Sequence, residues 1–473
     1  MSDRHERSVI ATSDPRATTA AAHVLACGGN AVDAAVTAAA VLFVVEPHAC
    51  GIGGDAFLLV KQPGEAPAAL DGSGAVPAAL AAEAEQADGG DVPFVGARSI
   101  TVPGAVSLLE TALEQLGTIT LADALTPALR LAREGFAVRP MLAAAAARAH
   151  GLLASDPLLA ALYLPQEAPV RTGDVVRNPQ LADALAAIAT DGAARFYRGD
   201  LAADVARRVA ALGGQLSTDD LAAHATLPMS PVCVRFRGVD VWELPAPTQG
   251  PAVLVALEAL ERAGHFDPDA IVAALLAGMR SVDVELGRIT SVPSPAPARG
   301  GDTTFIAAID RNGLGVSLIT SIFSDFGSGV GVDGLGGPLQ NRAATFPLTG
   351  RRPRPGKPPH TTIPALVTRD GSLRHALGVV GGYMQAQGQV QVLVNLLVHR
   401  MSPEEAVAAP RLRLLHGGEL AVEPGHALAA RFPDAARRDP GLGGFGGCQI
   451  ASCADGRISG AADPRRGGLV LIV

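Results

Sequence analysis

The sequence predicts an α/β fold layered as helix–sheet–sheet–helix, and two observations carry that prediction. The first is a hairpin. TTFIAAID at 303–310 and LGVSLITSI at 314–322 are joined through Asn312-Gly313, whose tolerance of positive φ suits a tight β-turn. Both arms are apolar on both faces, so each must be covered on both sides, as strands in stacked layers are. The second observation is AVDAAVTAAAVLFVV at 31–45, apolar nearly all round. A helix of that kind lies buried in a layer rather than half-exposed on a surface.

The remaining elements follow in chain order. Asp14-Pro15 starts a first helix, and Asn30, after Gly28-Gly29, caps the second. The glycine turn Gly51-Ile52-Gly53-Gly54 leads into a strand, FLLV at 57–60. Residues 79–93 are Ala/Glu/Gly-rich and polar, which reads as a surface excursion. From about 105 to 225 the pattern is helical, with apolar positions three and four apart in LLETALEQL and LADALTPALRLA. CVRFRGVDVWEL alternates like a strand pair around Gly238. SVPSPAPARGG at 291–301 has too much proline for helix or sheet, so it reads as an exposed, extended connector ending where the hairpin begins. No internal repeat is visible.

Composition narrows the function classes. Of 473 residues 48% are hydrophobic and 18% charged, enough for a large core and unlike a disordered chain. The net charge is −8, from 38 basic and 46 acidic residues. Nucleic acid is therefore not an expected partner, because phosphate binding draws on clustered Lys and Arg. The one dense basic stretch, Arg351-Arg352-Pro353-Arg354, is short, proline-broken and reads as a solvated loop. Cys27, Cys50, Cys233, Cys448 and Cys453 form no C-x-x-C pair, and no histidine spacing completes a zinc site, so no metal or other cofactor is expected. MSDRHERSVIATSD lacks the apolar core of a secretion signal, and no apolar run reaches membrane-spanning length. The expectation is a cytoplasmic protein that engages no membrane.

No G-x-S-x-G elbow, P-loop or H-E-x-x-H motif occurs. Gly51-x-Gly53-x-x-Ala56 matches a dinucleotide fingerprint, but a strand follows it where a phosphate-binding helix should. The remaining route to an activated nucleophile is a threonine whose own α-amine serves as base. That chemistry needs a Thr at the start of a buried strand, after a loop that can be cut. Asp302-Thr303 meets the requirement. On position alone, the stronger reading of Thr303 is an ordinary β-branched residue opening a strand.

Resemblance to a known family adds to this. GGNAVDAAVTAAAVLFVVEPHACGIGGDAFLLV at 28–60 resembles the N-terminal signature of gamma-glutamyltransferases, as do VPGAV at 102–106, PAPTQG at 245–250 and ADPRRGG at 462–468. TTFIAAIDRNGLGVSLITSIFSDFGSG at 303–329 is similar to that family's nucleophile region. The matches run in order over nearly the whole chain. The resemblance implies a four-layer αββα fold made as one precursor and cut autocatalytically before Thr303. The pieces would be a large subunit, 1–302, and a small subunit, 303–473, held as a heterodimer, with a dimer of heterodimers as an option. Thr303 would then be the catalytic residue, with Ser321 orienting its hydroxyl. Gly381-Gly382, in GVVGGYMQAQGQ, aligns with the glycine pair that supplies oxyanion-hole N–H groups. Their place before the helical run QVQVLVNLLVHR supports that role, since bare backbone donors near a helix N-terminus stabilise developing negative charge. Thr361 and Thr362, in PPHTTIPA, fall where the family holds the donor and the oxyanion, and His360 beside them reads either as a substrate contact or as a structural histidine.

The resemblance breaks at the donor pocket. Where the family binds the donor's α-carboxylate with an arginine, LDGSGAVP places Ser73. Where it binds the α-ammonium with an acid, LQNRAATF places Thr345, and Arg342 stands where a glutamine is usual. A serine cannot replace the arginine fork, and a threonine gives an ammonium no countercharge. Phe305 and Phe323 also replace polar residues beside the nucleophile. These departures resemble a branch that includes oxamate-type amidohydrolases. The expected partner is thus a small amide carrying a carboxylate, held by Arg342 close to Thr303. Arg342 in a structural ion pair is the competing reading. A gamma-glutamyl hydrolase or transpeptidase with a rebuilt pocket, and an unprocessed binding or structural relative, remain as alternatives.

Overall fold

The structure, a computed structural model, describes residues 5–86, 91–285, 303–346, 356–415, 419–431 and 444–473. The connector at 291–301, the basic stretch at 351–354 and Asp302 lie outside the described residues.

Two antiparallel sheets form the middle of the molecule. The seven-stranded sheet runs Leu469–Ile472, Val9–Thr12, Thr304–Ile309, Gly315–Ser321, Asp55–Lys61, Ala68–Asp71 and Leu227–Met229. The six-stranded sheet runs Ser459–Ala462, Gly447–Ser452, Ser372–Val380, Pro364–Arg369, Val239–Glu243 and Val232–Phe236. Each sheet thus mixes strands from before and after Thr303.

Side-chain alternation assigns the layers. Phe305, Ala307 and Ile309 point with Ile319, Phe57 and Leu59 into the space between the sheets, where they meet Leu366, Ala376 and Val380. Ile306, Ala308, Val316 and Leu318 point the other way and pack under the N-terminal helices. On the far side, Val241, Val367, Leu377 and Val379 are covered by helices Gly250–Ala263, Pro268–Glu285 and Met384–Leu397. Four layers result, helix–sheet–sheet–helix, as the two-faced hairpin requires.

The two N-terminal helices form where expected, Pro15–Ala26 behind Asp14 and Ala31–Val45 behind Asn30. Every residue of the second is buried. Its capping box is closed by Asn30 and Asp33, each side chain accepting from the other's backbone N–H. The hairpin turn is organised by Asp310 as well as by Asn312-Gly313. The Asp310 carboxylate accepts from Asn312 N at 2.8 Å, from Leu314 N at 3.1 Å and from Ala31 N at 3.2 Å, so one side chain ties the hairpin to the buried helix.

One expectation needs correction. Part of the polar stretch read as a surface excursion is a helix, Ala78–Gln86. Leu80 and Ala84, one turn apart, bury against Val76, Val92, Ala343 and Phe346. Two apolar positions at helical spacing outweigh a polar composition when a neighbouring segment offers them a surface. None of the five cysteines is in a disulfide among the described residues, and no described helix is long and apolar enough to cross a membrane.

Candidate active site

Thr303 lies at the head of its strand, and its register sets what surrounds it. Thr304 pairs with Thr320 and Phe305 with Ile319, so Thr303 and Ser321 close the hairpin at the open end of the inter-sheet core. The Thr303 hydroxyl donates to Ser321 Oγ at 3.3 Å, and Ser321 Oγ accepts from Phe323 N at 2.9 Å. Gln385 Nε2 reaches Thr303 Oγ1 at 3.4 Å, while Gln385 Oε1 accepts from Ile363 N at 3.2 Å. Contacts of 3.3–3.4 Å are at the long end for hydrogen bonds, so they orient the hydroxyl without immobilising it. Thr303 is only 2% exposed.

Two close approaches of backbone make this corner. A Cβ on Gly54 would stand 2.6 Å from the Ser321 carbonyl oxygen, so the glycine turn can pass beside the hairpin only as glycine. Gly381, with φ +116°, and Gly382, with φ +58°, leave the end of strand Ser372–Val380 and enter helix Met384–Leu397. Their carbonyls accept from Met384 N at 3.1 Å and Gln385 N at 3.0 Å. A non-glycine residue would be strained at these φ values, and a Cβ on Gly381 would also press on Gly446 Cα at 3.0 Å. The same helix start therefore carries the glycine pair and Gln385.

Arg342 opens a short 3-10 turn, Arg342–Thr345. Its guanidinium is fully buried, with its carbon 4.4 Å from the centre of the Phe323 ring. None of its three nitrogens has a hydrogen-bond partner among the described residues. Burial lowers its pKa to about 10, against the pull of Asp55. Phe323, which carries this stack, has φ +78°, a strained backbone for a bulky residue two positions after Ser321. The ion-pair reading of Arg342 is therefore not what the described residues form.

Asp55 is the acid of this corner. It pairs directly opposite Ser321 and so points to the same face of the sheet. Its Oδ1 accepts from Gly74 N at 3.1 Å and Gln340 Nε2 at 3.0 Å, and its Oδ2 lies 3.9 Å from His360 Nε2. Burial raises its pKa to about 7, with Arg342 the largest opposing influence. His360 stands edge-on to Phe57 at 5.0 Å, and its Nδ1 is 3.4 Å from Thr362 Oγ1. Thr361 and Thr362 are both buried, leading into the segment that Gln385 holds.

Two of the residues expected to touch substrate have other commitments. The Thr345 hydroxyl donates to carbonyls, Arg342 O at 2.8 Å and Pro359 O at 3.0 Å, and so shapes the turn that presents Arg342. The Ser73 hydroxyl donates to Asp71 Oδ1 at 2.6 Å. Lys357 Nζ joins them, bonding the Ser73 carbonyl, Ser73 Oγ at 3.2 Å and Asp71 Oδ1 at 3.4 Å. Sequence reading missed Asp55, Lys357 and Gln385. For Gln385 a signal existed, since it lies in the stretch that carries the glycine pair. An isolated Asp after a glycine turn and an isolated Lys in a proline-rich stretch give none.

A threonine hydroxyl at the head of a central strand, lying between two stacked sheets with helices outside them, defines the class of N-terminal-nucleophile hydrolases. The chain belongs to the gamma-glutamyltranspeptidase family, whose family model (Gamma-glutamyltranspeptidase) matches residues 17–282 and 287–473. It is 32% identical over 428 residues to the glutathione hydrolase-like YwrD proenzyme of Bacillus subtilis, covering 82% of this chain and 81% of that one. It is 32% identical over 430 residues to the oxamate amidohydrolase proenzyme of Klebsiella pneumoniae, again covering 82% and 81%. Among solved structures, cephalosporin acylase from Bacillus halodurans superimposes with a TM-score of 0.87 at 31% identity, over 99% of this chain and 96% of that one.

Proposed function

We propose that the chain cuts itself between Asp302 and Thr303 and then hydrolyses a small, carboxylate-bearing amide of the oxamate type through an acyl-ester on Thr303. The observation that carries the substrate reading is Arg342. A buried guanidinium whose nitrogens have no described partner, three contacts from the nucleophile by way of Phe323 and Ser321, fits a carboxylate brought by substrate. The likeness to an oxamate amidohydrolase proenzyme supports the same reading.

In the self-cutting step the Thr303 hydroxyl attacks the carbonyl of residue 302. The C–N bond breaks as the acyl group moves from nitrogen to oxygen, freeing the α-amine, and water then hydrolyses the ester to release the carboxyl group of residue 302 and restore the Thr303 hydroxyl. In turnover that amine takes the Thr303 hydroxyl proton, and Oγ attacks the donor amide. Negative charge grows on the carbonyl oxygen, where backbone N–H groups of Gly381 and Gly382 would meet it. The amide nitrogen leaves as ammonia with the proton taken by the amine, and water then resolves the acyl-ester to acid and free Thr303. Ser321 and Gln385 keep the hydroxyl aimed through both steps.

A gamma-glutamyl donor is the weaker reading. The hydroxyl at Thr345 is held by two carbonyls and that at Ser73 by Asp71, so neither is poised for an amino-acid end.

The test is Arg342→Ala assayed on oxamate. Removing that guanidinium from a buried carboxylate costs about 2–5 kcal/mol, so KM should rise about 30-fold or more while kcat changes far less. An unchanged KM would remove Arg342 from the substrate site and the small-anion reading with it.

A further inference from the structure

We infer that Asp55 is a specificity-determining residue: it shares Arg342 with the donor's carboxylate, so that an anionic donor binds only with a proton on the Asp55 side of the pair. This rests on the proposed role of Arg342 and extends it to a residue whose part in that site has not been assigned.

The argument is one of charge and space. Asp55 is 1% exposed, faces the same way as Ser321, and offers Oδ2 without a hydrogen bond among the described residues. Its Oδ1 is fixed by Gly74 N and Gln340, so the free oxygen has a set direction. The charged and titratable groups around it are few. Arg342 comes from the 3-10 turn, and His360 and Lys357 from the segment 357–360. Asp71 lies one strand over, opposite Phe57, and the Tyr197 hydroxyl comes from helix Ala194–Arg198. Lys357 is already joined to Asp71 at 3.4 Å. Arg342 is thus the strongest opposite charge acting on Asp55, attracting through space without a direct hydrogen bond, while the His360 ring stands 3.9 Å from Oδ2.

A donor carboxylate placed against Arg342 brings a second anion to one buried cation. Two carboxylates at such a site cannot both stay ionised, and the one with least support takes a proton. Asp55 is that group, since it is 1% exposed and its Oδ2 has no hydrogen bond among the described residues, and the same burial raises its pKa to about 7. An amide without a carboxylate brings no charge and should bind without proton uptake. Asp55 therefore gates the donor by charge: neutral, it admits the anion, and ionised, it repels it.

The experiment compares initial rates on oxamate and on the uncharged oxamide from about pH 6 to 9. The ratio of their kcat/KM values cancels the titration of the Thr303 amine, which both donors share. In wild type the ratio should fall towards tenfold per pH unit above about pH 7. Asp55→Asn keeps an oxygen for Gly74 and Gln340 but cannot ionise, so its ratio should stay flat and exceed that of wild type at pH 8.5. A ratio independent of pH in wild type, or an Asn profile that follows wild type, would overturn the role of Asp55. Arg342→Ala separates this from the underlying reading. If it collapses the ratio while wild type is flat, Asp55 alone is wrong; if it leaves the ratio untouched, the carboxylate site itself is wrong. Should turnover be too slow, calorimetry of oxamate binding in buffers of different ionisation enthalpy reads the proton directly. One proton taken up at pH 8.5 is expected, and none, or no binding, counts against the inference. The wild-type readings stand even if Asp55→Asn fails to fold.

Discussion

At the residue scale the site rests on short polar side chains whose partners fix their direction. Gln385 illustrates this. One end of its amide holds the backbone of Ile363 and the other donates to the Thr303 hydroxyl, so it ties Thr303 to the segment carrying His360, Thr361 and Thr362. We expect Gln385→Leu to lower kcat about 10- to 100-fold with KM for the donor nearly unchanged, because aim is needed more in the transition state than in binding. Gln385→Glu, which keeps the acceptor but not the donor, should recover little of the loss. A melting temperature that drops while kcat holds would make Gln385 a structural bond only. Phe323 shows the cost of such placement, since a bulky residue at φ +78° persists only where its surroundings over-determine it.

At the scale of elements, the buried helix Ala31–Val45 is the piece on which the hairpin leans, and its stability depends on one acid. Asp33 accepts from Asn30 N at 2.8 Å, Thr118 N at 2.7 Å, Ile119 N at 3.3 Å and the Thr118 hydroxyl. It therefore closes the capping box of its own helix and anchors the entry to helix Leu121–Glu134. Asp33→Ala strands several part-buried donors at once and should cost about 2–4 kcal/mol of stability. Denaturant titration would read this as a lower midpoint at unchanged slope. A loss under about 0.5 kcal/mol would mean that the donors find other partners.

At the scale of the molecule, a cut before Thr303 would divide strands that remain interleaved. Val9–Thr12 lies between Thr304–Ile309 and Leu469–Ile472, and Gly315–Ser321 pairs with Asp55–Lys61. Separating the pieces would break these three ladders, and that between Val239–Glu243 and Pro364–Arg369, and would expose the inter-sheet core. We therefore expect denaturing mass spectrometry of wild type to give two fragments meeting at Asp302/Thr303, while native mass spectrometry gives one particle holding both. Thr303→Ala should remain a single chain. A wild type that stays whole on long incubation would favour a non-catalytic relative and leave the named site residues structural.

Much of this architecture was legible because it is written locally. The hairpin's two-faced apolarity, the all-round apolar helix behind Asn30 and the helical run after the glycine pair are patterns of neighbouring residues, and each of these elements forms in the folded chain. The exception at Ala78–Gln86 turned on what packs against it, which composition does not record. The electrostatics were not legible. Ser73, Lys357 and Asp71 assemble from three stretches of chain, as do Asp55, Gln340 and His360, and none has a spacing that announces its partner. The sequence by itself determined the layers, the hairpin and the threonine at its head, because periodicity and turn chemistry act within a few residues. Only the tertiary structure decided which charges share the buried corner, because that depends on register between strands and on how much water is left around each group.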